Sequence, residues 1–180
     1  KLNITVLIIS VNHDSGVKLQ FGHEILKHQN IHIGVKYDGK MRRVIVNDDF
    51  GPVNFYLMPF VRPADIRPFY NDVASYHDAL QYAVDKAHIN KSERNVFIGH
   101  QFFASGSQEM SDSERIAVGG IDNVGYTILQ DFDYAALGHL HKPQKLVFDT
   151  IRYSGSIVKY SESEVNDQKS YIIIGLKEKG

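Results

Sequence analysis

The chain has 180 residues, of which 43% are hydrophobic and 23% charged, the balance of an ordinary soluble globular protein of about one domain. Because the chain has 20 basic and 21 acidic residues, its net charge of -1 gives no overall electrostatic attraction to nucleic acid. The absence of cysteine excludes disulfide scaffolds, thiolate metal sites and cysteine nucleophiles, and no apolar run approaches the roughly 20 residues that span a bilayer.

The first predicted element is a strand over the apolar run 4–11. Its Ile and Val content predicts burial on both faces, as in an α/β sheet. No Met or lead-in precedes this run, which suggests a chain that begins inside a sheet. The segment 17–26 has a partly helical spacing of apolar residues and is expected to end near residue 30.

Three short strands come next, over 31–37, 42–47 and 53–57. Asp38-Gly39 predicts a hairpin between the first two, and residues 48–52 predict a looser turn before the third. A proline-rich loop with about one helical turn follows. An amphipathic helix is then predicted over 75–88, where Ser75 and Asp78 match an N-cap with an acidic first turn.

The last part of the chain returns to strands. Short apolar strands are predicted over 95–99 and 133–137, separated by a polar, Gly-rich functional loop over 104–123. The closing strands are expected over 146–148, 151–154 and 171–176, with Asp149-Thr150 as a turn. These elements together predict an α/β layered protein.

Three of the predicted strands end in polar side chains. They are followed by Asn12-His13-Asp14, by Gly99-His100, and by Gly138-His139-Leu140-His141. Ligands of open α/β sheets collect outside the carboxyl ends of the strands, so these residues are expected to converge. Imidazole and amide donors favour a divalent metal such as zinc, iron or manganese. Each of the other five histidines has polar neighbours and is expected at the surface or at a cap: His23, His28, His32, His77 and His88.

The order Asn-His-Asp, Gly-His, Gly-His-x-His resembles the second half of the calcineurin-like metallophosphoesterase signature. The flanking sequence more specifically resembles the SbcD family, the nuclease subunits of bacterial SbcCD exonucleases. The matching stretches cover 10–19, 57–67, 112–124, 132–144 and 151–164. The fold that this resemblance implies is a layered metallophosphoesterase-type β-sandwich flanked by helices.

The resemblance also implies a site with two divalent metal ions, most simply manganese. One ion would be bound by Asn12, His100 and His139, and the other by His141. His13 would contact the scissile phosphate and protonate or stabilise the leaving oxygen, while Asp14 would orient His13. Lys142, next to His141, is the best candidate for a DNA phosphate contact.

The chain departs from the family pattern in several places. Neither the Asp-x-His nor the Gly-Asp motif that supplies the remaining ligands occurs in it, and Val11 replaces a glycine before Asn-His-Asp. Residues 154–157 are Ser-Gly-Ser-Ile instead of Ser-Gly-Ser-Pro, and the sequence stops at Gly180, before the C-terminal capping segment. We therefore expect residues 1–180 to be a partial nuclease domain, incomplete at the N-terminus. Such a chain would have little activity alone and would expose sheet edges that favour self-association.

The resemblance implies a manganese-dependent nuclease, with exonuclease activity on duplex ends and endonuclease activity on single strands, in DNA repair, recombination and replication. Its partners would be an SbcC-type ATPase subunit and DNA, within a complex that contains a homodimer, in the bacterial cytoplasm at the nucleoid. One alternative is a degenerate phosphoesterase fold kept as a non-catalytic binding scaffold. Another is a phosphodiesterase acting on a small nucleotide, which the SbcD-like stretches disfavour.

Overall fold

The computed structural model describes residues 4–21, 23–105 and 122–179. Its strands are β1 (Val6–Ile9), β2 (Ile31–Gly34), β3 (Arg42–Asp48), β4 (Gly51–Met58), β5 (Arg94–Gly99), β6 (Phe103–Ala104), β7 (Val124–Gly125), β8 (Tyr134–Leu137), β9 (Gln144–Lys145) and β10 (Ile151–Tyr153). Its α-helices are α1 (Gly16–Gln20), α2 (His23–Lys27), α3 (Pro63–Ile66) and α4 (Tyr76–Lys86), with 3-10 turns at Tyr126–Leu129 and Glu162–Glu164. None of the helices in the described ranges is long and apolar enough to cross a membrane.

A six-stranded sheet in the order β3-β4-β5-β8-β10-β9 forms the centre of the molecule. The four inner strands are parallel, and β3 and β9 pair antiparallel at the two edges. β5 lies in the middle and is buried at every position except Ile98. Its apolar residues 96–98 suit a central parallel strand, while Arg94 and Asn95 at its start are buried with hydrogen-bond partners. The predicted α/β class is therefore confirmed. Because β5 and β8 run in parallel, their carboxyl ends meet at one edge of the sheet.

The strand β1 belongs to a second, smaller parallel sheet with β2. The backbone N–H of Phe60, after β4, donates to the Ser10 carbonyl at 3.0 Å, which ties the end of β1 to the large sheet. The prediction that this run is buried on both faces is wrong. Val6 and Ile8 are 40% and 39% exposed because only the opposite face of β1 packs on the protein.

The hairpin predicted at Asp38-Gly39 does not form. β2 pairs with β1, and the hairpin of this region joins β3 to β4 through the turn predicted over residues 48–52, where Gly51 has a φ of +98°. Tyr37 and Met41 flank Asp38-Gly39 and are each only 5% exposed. Both side chains pack in the core, and the linker that carries them joins strands of two different sheets, so it does not form a hairpin.

Two predicted closing strands are also wrong. The strand expected over 146–148 is displaced to β9, and residues 171–176 form no strand. Tyr171 and Ile173 are both 83% exposed, while Leu176 packs against a small apolar cluster on the large sheet. A β-branched segment becomes a strand only when a neighbouring edge accepts its hydrogen bonds, and this segment lies over the sheet instead.

Four of the remaining element predictions agree with the structure, whereas the strand predicted over 31–37 ends at Gly34 and the helical segment 17–26 forms two short helices, α1 and α2. The strands at 95–99, 133–137 and 151–154 correspond to β5, β8 and β10, and the amphipathic helix is α4. Ser75 caps α4: its side chain accepts a hydrogen bond from the Asp78 N–H at 3.1 Å, and the Asp78 carboxylate accepts from the Ser75 N–H at 2.9 Å. The short parallel pair β6–β7 lies next to the predicted functional loop, of which residues 106–121 lie outside the described residues.

Candidate metal centre

The ends of three strands bring their polar residues together. Asn12, three residues after the end of β1, places its Oδ1 atom 3.1 Å from Nε2 of His100, which follows β5. The ring of His100 meets that of His139, which follows β8, at 5.4 Å between centroids and nearly at right angles. The sequence prediction that residues from these three distant turns converge is thus met for Asn12, His100 and His139.

The hydrogen-bond ladder between β5 and β8 continues past the strands and aligns the two histidines. The Gly138 N–H donates to the Gly99 carbonyl at 2.9 Å. A Cβ atom at Gly138 would lie 2.6 Å from Nδ1 of His100, closer than side chains tolerate. The His100 ring therefore lies directly on the Gly138 backbone, and a glycine at this position allows the ring to approach Asn12.

Burial and charge both act on His100. Burial lowers the pKa of His100 to about 4, and the nearby His139, His13 and His141 add to this lowering, while Asp14 opposes it. His100 is consequently neutral at physiological pH. Neutral imidazole is the form that binds a metal ion, so protons do not compete for this side chain near pH 7.

His139 has an unusual backbone. Its φ of +96° lies in the left-handed region, which side chains other than glycine rarely adopt and which costs about 1–3 kcal/mol. The next residue, Leu140, is 1% exposed and anchors the turn in the core. Such backbone strain concentrates at functional sites, where the surrounding structure holds one residue in a required position.

His141 is held by a carboxylate that the sequence analysis missed. Its Nδ1 atom lies 2.8 Å from Oε1 of Glu164, which is completely buried, and its ring packs on Tyr160 at 5.3 Å. Glu164 is the last residue of a stretch that resembles the SbcD family. No spacing rule marks it in the sequence, because 23 residues separate it from His141.

The turn that follows β1 is closed by Asp14. The Asp14 carboxylate accepts a hydrogen bond from the Val11 N–H at 2.8 Å, and the Asp14 N–H donates to the Val11 carbonyl. His13 and Asp14 are exposed in this turn, and the predicted contact between them stays a prediction. Within the described ranges Val11 is not among the residues with positive φ, so replacing the family's glycine causes no backbone strain there.

The fit of this cluster to a metal ion is partial. Two ligands of one ion, each at about 2.1 Å and at right angles, lie about 3 Å apart, which is the separation of Asn12 Oδ1 and His100 Nε2. The described residues nonetheless contain no group of three His, Cys, Asp or Glu side chains that could hold a metal. Asn12, His100 and His139 thus supply an amide and two imidazoles, a set without a negative charge.

A cavity of about 550 Å³ lies elsewhere, between the β2–β3 linker, β3 and the end of α4. Its lining includes Lys36, Lys40, Arg43 and Lys86 but none of the seven predicted site residues. The cluster of Asn12, His100 and His139 is therefore not part of this cavity.

Comparison with known proteins finds similar chains among bacterial nuclease subunits. The chain is 30% identical over 184 residues to the SbcD component of the SbcCD nuclease of Staphylococcus epidermidis, and 31% identical over 182 residues to the same component from Staphylococcus saprophyticus. Each match covers 98% of this chain. Over nearly its whole length the chain is similar to the SbcD components of these two nucleases. It spans about half (47%) of the length of these two SbcD relatives. No protein-family model matches it.

Proposed function

We propose that the chain is part of a metal-dependent DNA nuclease subunit that cleaves phosphodiester bonds, as an exonuclease on duplex ends and an endonuclease on single strands, in DNA repair and recombination. The observation that carries this proposal is the 3.1 Å approach of Asn12 to His100 beside His139, from three strand ends. The names of the two relatives support the nuclease assignment.

In this proposal one divalent cation is held by Asn12, His100 and His139, and a second by His141. A mixed amide and imidazole donor set is compatible with manganese. When bound, the two ions would supply an activated water and a clamp for the phosphate oxygens. His100 serves as a ligand without first losing a proton, since burial keeps it neutral.

The other site residues act on the DNA. His13 is exposed next to Asn12, where its imidazole can contact the scissile phosphate and hold the proton that the leaving oxygen takes up. Asp14 maintains this turn through Val11 and, by the family resemblance, orients His13. Lys142 follows His141 and would contact a backbone phosphate, which positions DNA without reading its sequence.

The partners follow from the same assignment. The names of the relatives place them in the SbcCD nuclease, so an SbcC-type subunit is the proposed protein partner. From the family resemblance we further propose that this partner is an ATPase and that the complex contains two copies of the SbcD component. DNA is the proposed substrate, and the bacterial cytoplasm at the nucleoid the proposed location. A non-catalytic binding scaffold is the second candidate, because the described residues offer no group of three acidic or histidine ligands.

Manganese titration of the 180-residue chain, followed by the electron paramagnetic resonance of free Mn²⁺, separates these two candidates. We expect weak binding that His139→Ala reduces about tenfold or more, since it removes one of three ligands. His28→Ala is the matched control, because His28 is exposed and outside the cluster. Equal binding by both variants, or no binding by the unaltered chain, would favour the scaffold.

Cleavage of linear and supercoiled DNA by the same preparation tests the activity. Without the carboxylate that bridges two metals in the family, we expect little or no cleavage by this chain alone, even with added Mn²⁺. Robust cleavage that a chelator abolishes would contradict this expected inactivity and would support the nuclease directly.

A further inference from the structure

A polar cluster with a completely buried carboxylate surrounds His141. Glu164 has no exposed surface, and its Oε1 atom lies 2.8 Å from His141 Nδ1. Its Oε2 atom accepts a hydrogen bond from the Lys169 ammonium at 2.7 Å. Ser161 Oγ and the Tyr160 N–H donate to the same carboxylate at 3.3 Å each. A buried charge is stable only when it is paired and hydrogen-bonded in this way.

Lys169 connects this cluster to the backbone of His141 itself. Its ammonium also donates to the His141 carbonyl at 2.9 Å, and the Ser156 N–H donates to that carbonyl at 3.0 Å. Gly155, at a φ of +81°, leaves the space: a Cβ there would lie 2.9 Å from the His141 carbonyl oxygen. Both the backbone and the ring of His141 are thus fixed by the segment 155–169.

We propose that Glu164 is a positioning residue that fixes the tautomer and orientation of His141 for metal binding, with Lys169 neutralising the buried carboxylate. An ionised carboxylate can only accept, so Nδ1 of the neutral ring must carry the proton. The lone pair is then on Nε2, the ring atom turned away from Glu164. His141, the predicted ligand of the second metal ion, would therefore bind the cation through Nε2 without a change of tautomer.

This inference rests on the proposed function, because it assigns Glu164 a role in the same site. The inference also goes beyond the proposed function, because neither the sequence motif nor the relatives' names identify a residue that controls His141. Carboxylates that accept from the second nitrogen of a ligating histidine fix its orientation and raise its basicity, and losing one costs about 10–100-fold in metal affinity.

The test is a nitrogen-15 NMR measurement of the histidine tautomers of the 180-residue chain, with EDTA present, at a pH of about 8 where an ordinary histidine is neutral. We expect His141 to be the Nδ1–H tautomer. This measurement needs no variant, so it does not depend on a substitution that the fold must tolerate. An Nε2–H tautomer at His141 would overturn the inference.

The second arm compares Glu164→Met/Lys169→Met with the unaltered chain. The double variant removes both members of the ion pair at similar volume, which a buried site tolerates better than the loss of one member. We expect it to populate both His141 tautomers and to bind Mn²⁺ about 10–100-fold more weakly than the unaltered chain. An unchanged tautomer or an unchanged Mn²⁺ affinity in the double variant would count against Glu164 as a positioning residue.

The two measurements distinguish failure of the proposed function from failure of the positioning inference. If the unaltered chain binds no Mn²⁺ while His141 is the Nδ1–H tautomer and loses it in the double variant, the proposed function is overturned and the control of His141 by Glu164 is supported. If Mn²⁺ binds and depends on His139 but not on Glu164, the proposed function is supported and the positioning inference is overturned.

Discussion

At the scale of single residues, the candidate centre depends on side chains that meet only after long-range folding. Asn12 and His100 are 88 positions apart, and His141 and Glu164 are 23 apart. The histidines were predictable because each follows an apolar strand at a short, recurrent motif. Glu164 was not, because an acidic residue in a polar segment gives no indication that the fold will bury it.

The contact between Gly138 and the His100 ring can be tested by substituting the glycine. Gly138→Ala would place a Cβ 2.6 Å from His100 Nδ1, so the ring must move away from Asn12. We expect a loss of about 1–3 kcal/mol in the free energy of unfolding, from overpacking, measured by urea denaturation. We also expect Mn²⁺ binding to weaken by about tenfold or more, since the ligand set is displaced.

Gly175→Ala is the matched control for that substitution. Nothing lies within 4 Å of a Cβ at Gly175, and its φ is not in the left-handed region. Its effect on unfolding should stay within about 0.5 kcal/mol, as for most exposed sites. Equal stability and equal Mn²⁺ affinity of the two variants would show that His100 does not depend on its contact with Gly138.

At the scale of secondary-structure elements, the sequence predicts an element correctly where the residues of that segment alone determine its conformation. α4 has a capping box and an apolar stripe, and β5 has an apolar run, so both were predictable. The hairpin at Asp38-Gly39 and the strand over 171–176 were not. Their pairing depends on which edge lies nearby, and turn or β-branched composition cannot specify that.

The capping box of α4 can be tested by Ser75→Ala. This change removes the acceptor for the Asp78 N–H, and we expect it to cost about 1 kcal/mol in the free energy of unfolding. The Ser75 side chain also contributes most to the lowered pKa of Asp78, so this pKa should rise towards its ordinary value in the variant. The exposed Ser170→Ala, in a segment without regular structure, should leave stability unchanged. If Ser75→Ala lowered the free energy of unfolding no more than Ser170→Ala does, Ser75 would not stabilise α4 as its N-cap.

At the scale of the whole molecule, apolar surface is distributed unevenly. The core lies between α4 and the large sheet and is completely enclosed at Leu80, Phe97 and Tyr153. One face of β1 is instead open: Ile4 is 58% exposed, next to Val6 and Ile8. Contiguous apolar surface on a strand favours association, and this extends the sequence-based expectation of self-association to a particular face.

We therefore expect the 180-residue chain to self-associate through β1 as its concentration rises, and Val6→Thr/Ile8→Thr to shift the population towards monomer. Threonine keeps the preference for strand structure, so the variant should retain its fold while the face becomes polar. Sedimentation velocity over a wide range of concentrations measures the effect. Ile157→Thr/Val158→Thr is the control, since these residues are 92% and 53% exposed but lie outside β1. A monomer at every concentration, or equal shifts in both variants, would show that the open face of β1 does not drive association.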